Sequence, residues 1–166
     1  MKQKKLAPYL LTVIITSLVG GCGQQEYSDV EYMNRALDYV DAHKYESAVI
    51  DFKNALVKNP KNAEARWRLG KLYVELGLAA DAEKEIERAI SLGLTGPEIE
   101  LDLFDSFLLQ AKYDNVIETI QFNKYSADAN KSRAYAIAGM AFLGKGDATK
   151  AETLLKRSLK LKANAN

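Results

Sequence analysis

From Ser28 onward, apolar residues recur at helical spacing in short runs, each broken by a polar or glycine-containing turn. The stretch Ala63–Leu92 shows the pattern most clearly. Leu69, Gly70 and Tyr73 share one face of a first amphipathic segment. Ala82, Ile86 and Ala89 share one face of a second, and Gly77 lies in the turn between them. This helix-turn-helix unit predicts a 34-residue period that runs outward in both directions. It divides the chain into units at 29–62, 63–96, 97–131 and 132–165, the third one residue longer than the period. Ser28-Asp29-Val30-Glu31 has the S-x-x-E form of a capping box and predicts the start of the first helix. Thr95-Gly96-Pro97-Glu98 offers a second capping box, with Pro97 as an early helical residue.

Aligning the four units column by column carries the argument further. The eighth column reads Ala36, Gly70, Phe104, Gly139, and the eleventh reads Tyr39, Tyr73, Phe107, Phe142. The twentieth reads Ala48, Ala82, Val116, Ala151, and the twenty-fourth reads Phe52, Ile86, Ile120, Leu155. A small residue lets two helix axes approach closely, and a ring or aliphatic group opposite fills the space that remains. The fifteenth column, in the turn, reads His43, Gly77, Ala111, Gly146. Such a turn favours a left-handed backbone, which glycine adopts without steric cost.

These columns resemble the signature of the tetratricopeptide repeat (TPR). The resemblance implies an all-α solenoid of about four helix-turn-helix repeats over residues 29–166. The sequence departs from the pattern at Arg35, where leucine is usual, at Phe104, where glycine is usual, and at Asn123, where alanine is usual. A short second helix in the third repeat is expected, followed by a loose link over Lys124–Asn130 and a bend of the superhelix. In this family the first helix of each repeat lines a concave groove. Its inward columns here hold Val30, Met33, Leu37, Val40 and Asp41, then Glu64, Trp67, Lys71, Val74 and Glu75. The third and fourth repeats add Glu98, Leu101, Asp105, Leu108 and Leu109, then Arg133, Ala136, Met140, Leu143 and Gly144. The groove is mostly apolar, with five acids against two bases, and lacks the Lys/Arg/Asn set that clamps a C-terminal carboxylate. An apolar or helical segment of a protein partner fits it, with Trp67 as the expected anchor.

The first 21 residues follow different rules. Lys2, Lys4 and Lys5 precede an apolar run from Leu6 to Val19, too short for a spanning helix of about 20 residues but suited to a secretory signal. The run ends Leu18-Val19-Gly20-Gly21-Cys22, which resembles a bacterial lipobox. That resemblance implies cleavage after Gly21 and a diacylglycerol thioether, with further acyl chains, on Cys22. Cys22 is the only cysteine, so no intramolecular disulfide can form. A segment of polar character over 22–28 would then tether the helices close to a membrane surface. Gly23, where aspartate marks inner-membrane retention in Gram-negative lipoproteins, implies an outer-membrane, periplasm-facing location.

Charge and chemistry narrow the function. Outside residues 1–21 the chain carries 20 basic against 22 acidic residues, which excludes the basic face that nucleic acid demands. The sequence offers no nucleophile–base–orienter set and no Cys/His cluster with metal spacing, so neither an enzyme nor a bound cofactor or metal is expected. His43, the only histidine, reads as a turn residue. Gly144-Lys145-Gly146 lacks the strand that a phosphate loop needs, and Glu83, Glu85 and Glu87 read as a solvated helix face. The last helix, about Asp147–Lys162, carries Leu154, Leu155, Leu159 and Leu161. An uncovered apolar end face is expected there, open to further repeats or self-association.

Taken whole, the chain resembles bacterial TPR lipoproteins. Asn54-Ala55-Leu56, Asn62-Ala63-Glu64-Ala65-Arg66 and Leu69–Gly77 are similar to the opening repeats of the large TPR lipoprotein of the PEP-CTERM/exosortase system. That resemblance implies a lipid-anchored scaffold for protein–protein interaction in exopolysaccharide production and protein sorting. A pilotin-like assembly factor for a type IV pilus or secretion system is the alternative, and an accessory activator of an envelope enzyme is a third.

Overall fold

A computed structural model describes residues 27–164, and the expected signal segment and lipid-bearing Cys22 lie outside the described residues. Eight helices follow in order: α1 (Asp29–Asp41), α2 (Tyr45–Lys58), α3 (Ala63–Glu75), α4 (Ala79–Ser91), α5 (Pro97–Leu109), α6 (Tyr113–Thr119), α7 (Asp128–Gly144) and α8 (Ala148–Asn164). No strand occurs among the described residues. Odd-numbered helices pack on their even-numbered successors as antiparallel pairs, and α3, α5 and α7 pack in turn on one another.

Local chemistry sets the ends of the helices. The Ser28 hydroxyl accepts from the Glu31 backbone N–H at 3.2 Å while Glu31 accepts from the Ser28 N–H at 2.8 Å, a complete capping box. Asn62 caps α3 by accepting from the Ala65 N–H at 2.9 Å. The second capping box does not form. Gly96, not Thr95, is the N-cap of α5 and no side chain caps it, although Pro97 does occupy the first turn. All four residues of the fifteenth column are left-handed, with φ of 55° at His43, 72° at Gly77, 56° at Ala111 and 82° at Gly146.

The signature columns are the core. Ala36, Ala48, Phe52, Ala82, Ile86 and Val116 are fully buried, and Phe104 nearly so. At Gly70 an added Cβ would lie 2.6 Å from Ile86 Cγ1 and 3.2 Å from the Ala82 carbonyl oxygen. The close approach of α3 and α4 therefore needs glycine there. At Gly139 the same atom would lie 2.8 Å from Leu155 Cγ.

The third repeat is the irregular one, in the manner its sequence suggests. α6 has only 7 residues, ends at Thr119 with Ile120 as its C-cap, and is followed by a short 3-10 turn over Phe122–Lys124. Tyr125 replaces the missing helical turns. Its ring is 1% exposed, belongs to the core around Leu101 and Phe104, and its hydroxyl donates to Glu100 at 3.0 Å. Burial, with the Glu100 carboxylate beside it, raises the Tyr125 phenol well above its ordinary pKa. Phe122 stacks on Tyr135 at 4.4 Å. α7 then begins at Asp128, ahead of the repeat start expected at Ser132, and runs for 17 residues.

Candidate groove for a protein partner

The inward columns of α1, α3, α5 and α7 do not all face solvent. Trp67, expected as an open anchor, is 8% exposed and packs with Ile86, Ala89 and Ile99. Its indole N–H donates to Asp102 Oδ2 at 2.7 Å, and the Arg68 guanidinium lies 4.4 Å from its ring centroid. Leu101 is fully buried in the core of the third and fourth repeats. Val74 and Leu108 are half-buried, packed against core clusters. These residues hold α3, α5 and α7 together and form the floor beneath the groove. The reason is geometric: adjacent first helices are close enough that a large side chain between them meets its neighbour before it meets a ligand.

Asp102 is the centre of this floor. It is 2% exposed on α5, accepts from Trp67 on α3, and accepts from Arg133 Nη2 on α7 at 2.6 Å. One buried carboxylate thus joins three successive first helices. Arg133 also donates to Asp105, so the inward-column Asp105 is neutralised within the fold. Burial works against the Arg133 charge, but its bonds to the two carboxylates prevail and keep it firmly protonated. Burial pushes the Asp105 carboxyl upward, against the pull of Arg133.

What remains open in the groove is more limited than the column list. Met140 and Leu143 on α7 are each 50% exposed and Leu109 on α5 is 53% exposed, the last two near the C-terminal ends of helices that pack together. Val30 on α1 is 52% exposed, and Glu75 and Glu98 are exposed acids. Lys71 is half-buried on α3. At Gly144 the lack of a side chain admits the ring of Tyr113, whose atoms would lie 2.3–2.6 Å from an added Cβ.

Polar ties within and between repeats recur on the second helices, and sequence reading missed them. Glu85 and Glu83, read as solvated, are engaged. Glu85 is 9% exposed and takes Arg66 at 2.6 Å. Glu83 takes Lys112 at 2.6 Å and Gln110 at 2.5 Å, and those bonds outweigh burial to lower its pKa. Glu87 alone of the three stays exposed. Arg35, the departure in the first repeat, forks onto buried Asp51 at 2.5 and 2.7 Å. The legible signal was an acid in the twenty-third column of both the first and second repeats, Asp51 and Glu85, with Arg35 and Arg66 lying 16 and 19 residues before them.

Family models described as tetratricopeptide repeat match residues 33–95 and 132–164. The chain is a tetratricopeptide-repeat protein. The TPR models leave the third repeat unmatched, where α6 is truncated. Among solved structures the TPR fold here is similar to one titled "Crystal structure of MamA", at 22% identity and TM-score 0.65, covering 82% of this chain and 80% of that one. It is also similar to YrrB, titled a TPR protein with an unusual peptide-binding site, at 16% identity and TM-score 0.45, covering 81% of this chain and 87% of that one. No curated protein matches the chain. Among the described residues no group of three or more His, Cys, Asp or Glu side chains could hold a metal ion, and no helix is long and apolar enough to cross a membrane.

Proposed function

We propose that this TPR protein is a lipid-anchored, non-catalytic scaffold of the bacterial envelope that holds a segment of a partner protein in its groove. The observation that carries the binding role is the exposure of the apolar side chains Leu109, Met140 and Leu143 on the first helices α5 and α7, which Asp102 ties together through Arg133. Neighbouring first helices about 8–10 Å apart give a groove of roughly 28 Å over four repeats, room for about eight residues of extended chain. Pre-organisation of the floor lowers the ordering cost of binding. The anchor rests on the lipobox-like Leu18–Cys22 run, and acyl chains on Cys22, each CH₂ contributing about 0.8 kcal/mol on burial, would fix the scaffold to the outer membrane. Within the envelope, the resemblance of the first two repeats favours exopolysaccharide and PEP-CTERM protein sorting.

Two experiments test the two halves separately. Fatty-acid labelling of the full chain is expected to mark the wild type and not Cys22→Ser; equal labelling removes the anchor. Site-specific photocrosslinking from position 143 in cells is expected to give a discrete adduct that Met140→Glu abolishes without loss of helicity. An adduct that survives Met140→Glu removes the groove.

A further inference from the structure

Beside the turns inside the repeats, the seams between neighbouring repeats are not all closed alike. At the seam of the second and third repeats, Lys112 in the sixteenth column donates to Glu83 in the twenty-first at 2.6 Å, and Gln110 in the fourteenth joins it. The Lys112 ammonium also lies 5.8 Å from the ring of Phe107, in the eleventh column. At the seam of the third and fourth repeats, Lys145 in the fourteenth column reaches Asp114 in the eighteenth at 3.0 Å. Each of these seams is bridged by a lysine of the later repeat and an acid on the second helix of the earlier one.

The first seam has the acid without the lysine. Glu46 stands in the eighteenth column of α2 as Asp114 does in α6, and it is exposed. The two columns that supply Lys112 and Lys145 hold Leu78 and Leu76 instead, 46% and 39% exposed. The twenty-first column, occupied by Glu83 in the second repeat, holds Val49. Among the described residues no base lies within ion-pair distance of Glu46. Where the other seams have a bridge, this one has a cleft of about 530 Å³, within the range of about 300–1,000 Å³ usual for ligand sites. Leu76, Leu78, Val49, the buried Tyr73 and Ile50, which is 59% exposed, supply its apolar lining. Its charged lining is two acids, Glu46 and Asp81, against one base, Lys53. None of these residues belongs to the inward columns, so the cleft is separate from the groove.

We infer that this cleft is a second docking site, for a partner segment that sets a lysine beside an apolar side chain. The chain itself shows what completes such a seam, since twice over it is a lysine whose ammonium meets the acid. An incoming lysine would find Glu46 in the place of Asp114 and the Tyr73 ring in the column of Phe107. An adjacent apolar side chain would cover Leu76, Leu78 and Ile50, which water otherwise wets. The excess of acid in the lining selects a base over an acid on the partner.

Methyl NMR of the full chain, titrated with a capped pentapeptide that places lysine between two leucines, supplies the test. The methyl signals of Ile50, Leu76 and Leu78 are expected to shift together and saturably, while those of Met140 and Leu143 in the groove stay in place. The same peptide with glutamate for lysine leaves all of them unmoved. Glu46→Gln weakens binding about three- to fivefold, the worth of one solvent-exposed ion pair. Leu78→Lys, which restores the lysine of the other seams, abolishes binding, and circular dichroism confirms that both variants remain folded. Absence of a saturable shift, equal binding of the glutamate peptide, or shifts confined to Met140 and Leu143 overturns the proposal. So does binding indifferent to Glu46→Gln or to Leu78→Lys. A shift of the same cleft methyls with protein concentration alone overturns it in favour of a second copy of the chain.

Discussion

Asp102→Ala is the most informative single perturbation, because one side chain carries the tie between three repeats. The substitution leaves the Trp67 N–H without an acceptor at a residue only 8% exposed. Orphaning a buried donor costs about 1–3 kcal/mol. It also removes one of the two carboxylates of Arg133, whose side chain is 36% exposed and keeps Asp105. That loss is discounted for solvent screening to about 1 kcal/mol. The expected total is about 3 kcal/mol, or a fall in Tm of roughly 10 °C for a domain of this size. Trp67 is the only tryptophan, so its fluorescence during urea unfolding reports on this junction directly. Far-ultraviolet circular dichroism of the same samples reports the helices as a whole. Asp102→Asn keeps an acceptor for the indole and is expected to lose about half as much. Asp105→Ala, which leaves the Trp67 bond intact, is expected to cost less than about 1 kcal/mol. The reasoning fails if Asp102→Ala costs under about 1 kcal/mol, or if Asp105→Ala costs as much as Asp102→Ala.

Three further outcomes follow from the same coordinates. Gly70→Ala places a methyl 2.6 Å from Ile86 Cγ1 and 3.2 Å from backbone atoms of Ala82 and Ile86. Overpacking of about 1–3 kcal/mol, offset by roughly 1 kcal/mol of helix propensity, leaves a net loss of about 1 kcal/mol in urea titration, and Gly70→Val loses more. Ser28→Ala removes the acceptor of the capping box and is expected to lower stability by about 1 kcal/mol, with hydrogen exchange rising first in the initial turn of α1. The raised Tyr125 phenol makes stability fall with alkali: the unfolded chain ionises near the usual tyrosine value of about 10 while the folded phenol holds its proton. Stability is therefore intact below pH ~10 and declines above it, by up to about 1.4 kcal/mol per pH unit. Tyr125→Phe is expected to flatten that decline while losing the Glu100 bond, and an unchanged alkaline slope would show that Tyr125 is not its source.

Much of the architecture was legible because repetition turns packing into a sequence pattern. Ala48 and Ala82 had to be small and Phe52 and Ile86 large wherever a helix pair closes on itself, and the structure buries all four. The left-handed turn at Ala111 was legible from column alignment alone, since alanine does not favour that conformation, whereas His43 tolerates it better than most residues. The short α6 was legible as a breakdown of the same pattern around Asn123. The aromatic plug of Tyr125 that compensates for it was not, because a single non-repeating insertion has no column to betray it.

The sequence by itself settled that the chain is a stack of paired helices, because spacing along a helix decides which residues share a face. It could not decide which inward columns remain open, because that depends on how near the next repeat lies. Trp67 and Leu101 occupy inward columns and are buried, while Met140 occupies one and is half exposed. Nor could it show that Asp102 joins α3 to α7, or that Glu85 is covered, since those contacts join residues 19 to 35 apart in the chain. Only tertiary packing brings such groups within bonding distance, and only there does burial turn an ordinary surface acid into part of the frame.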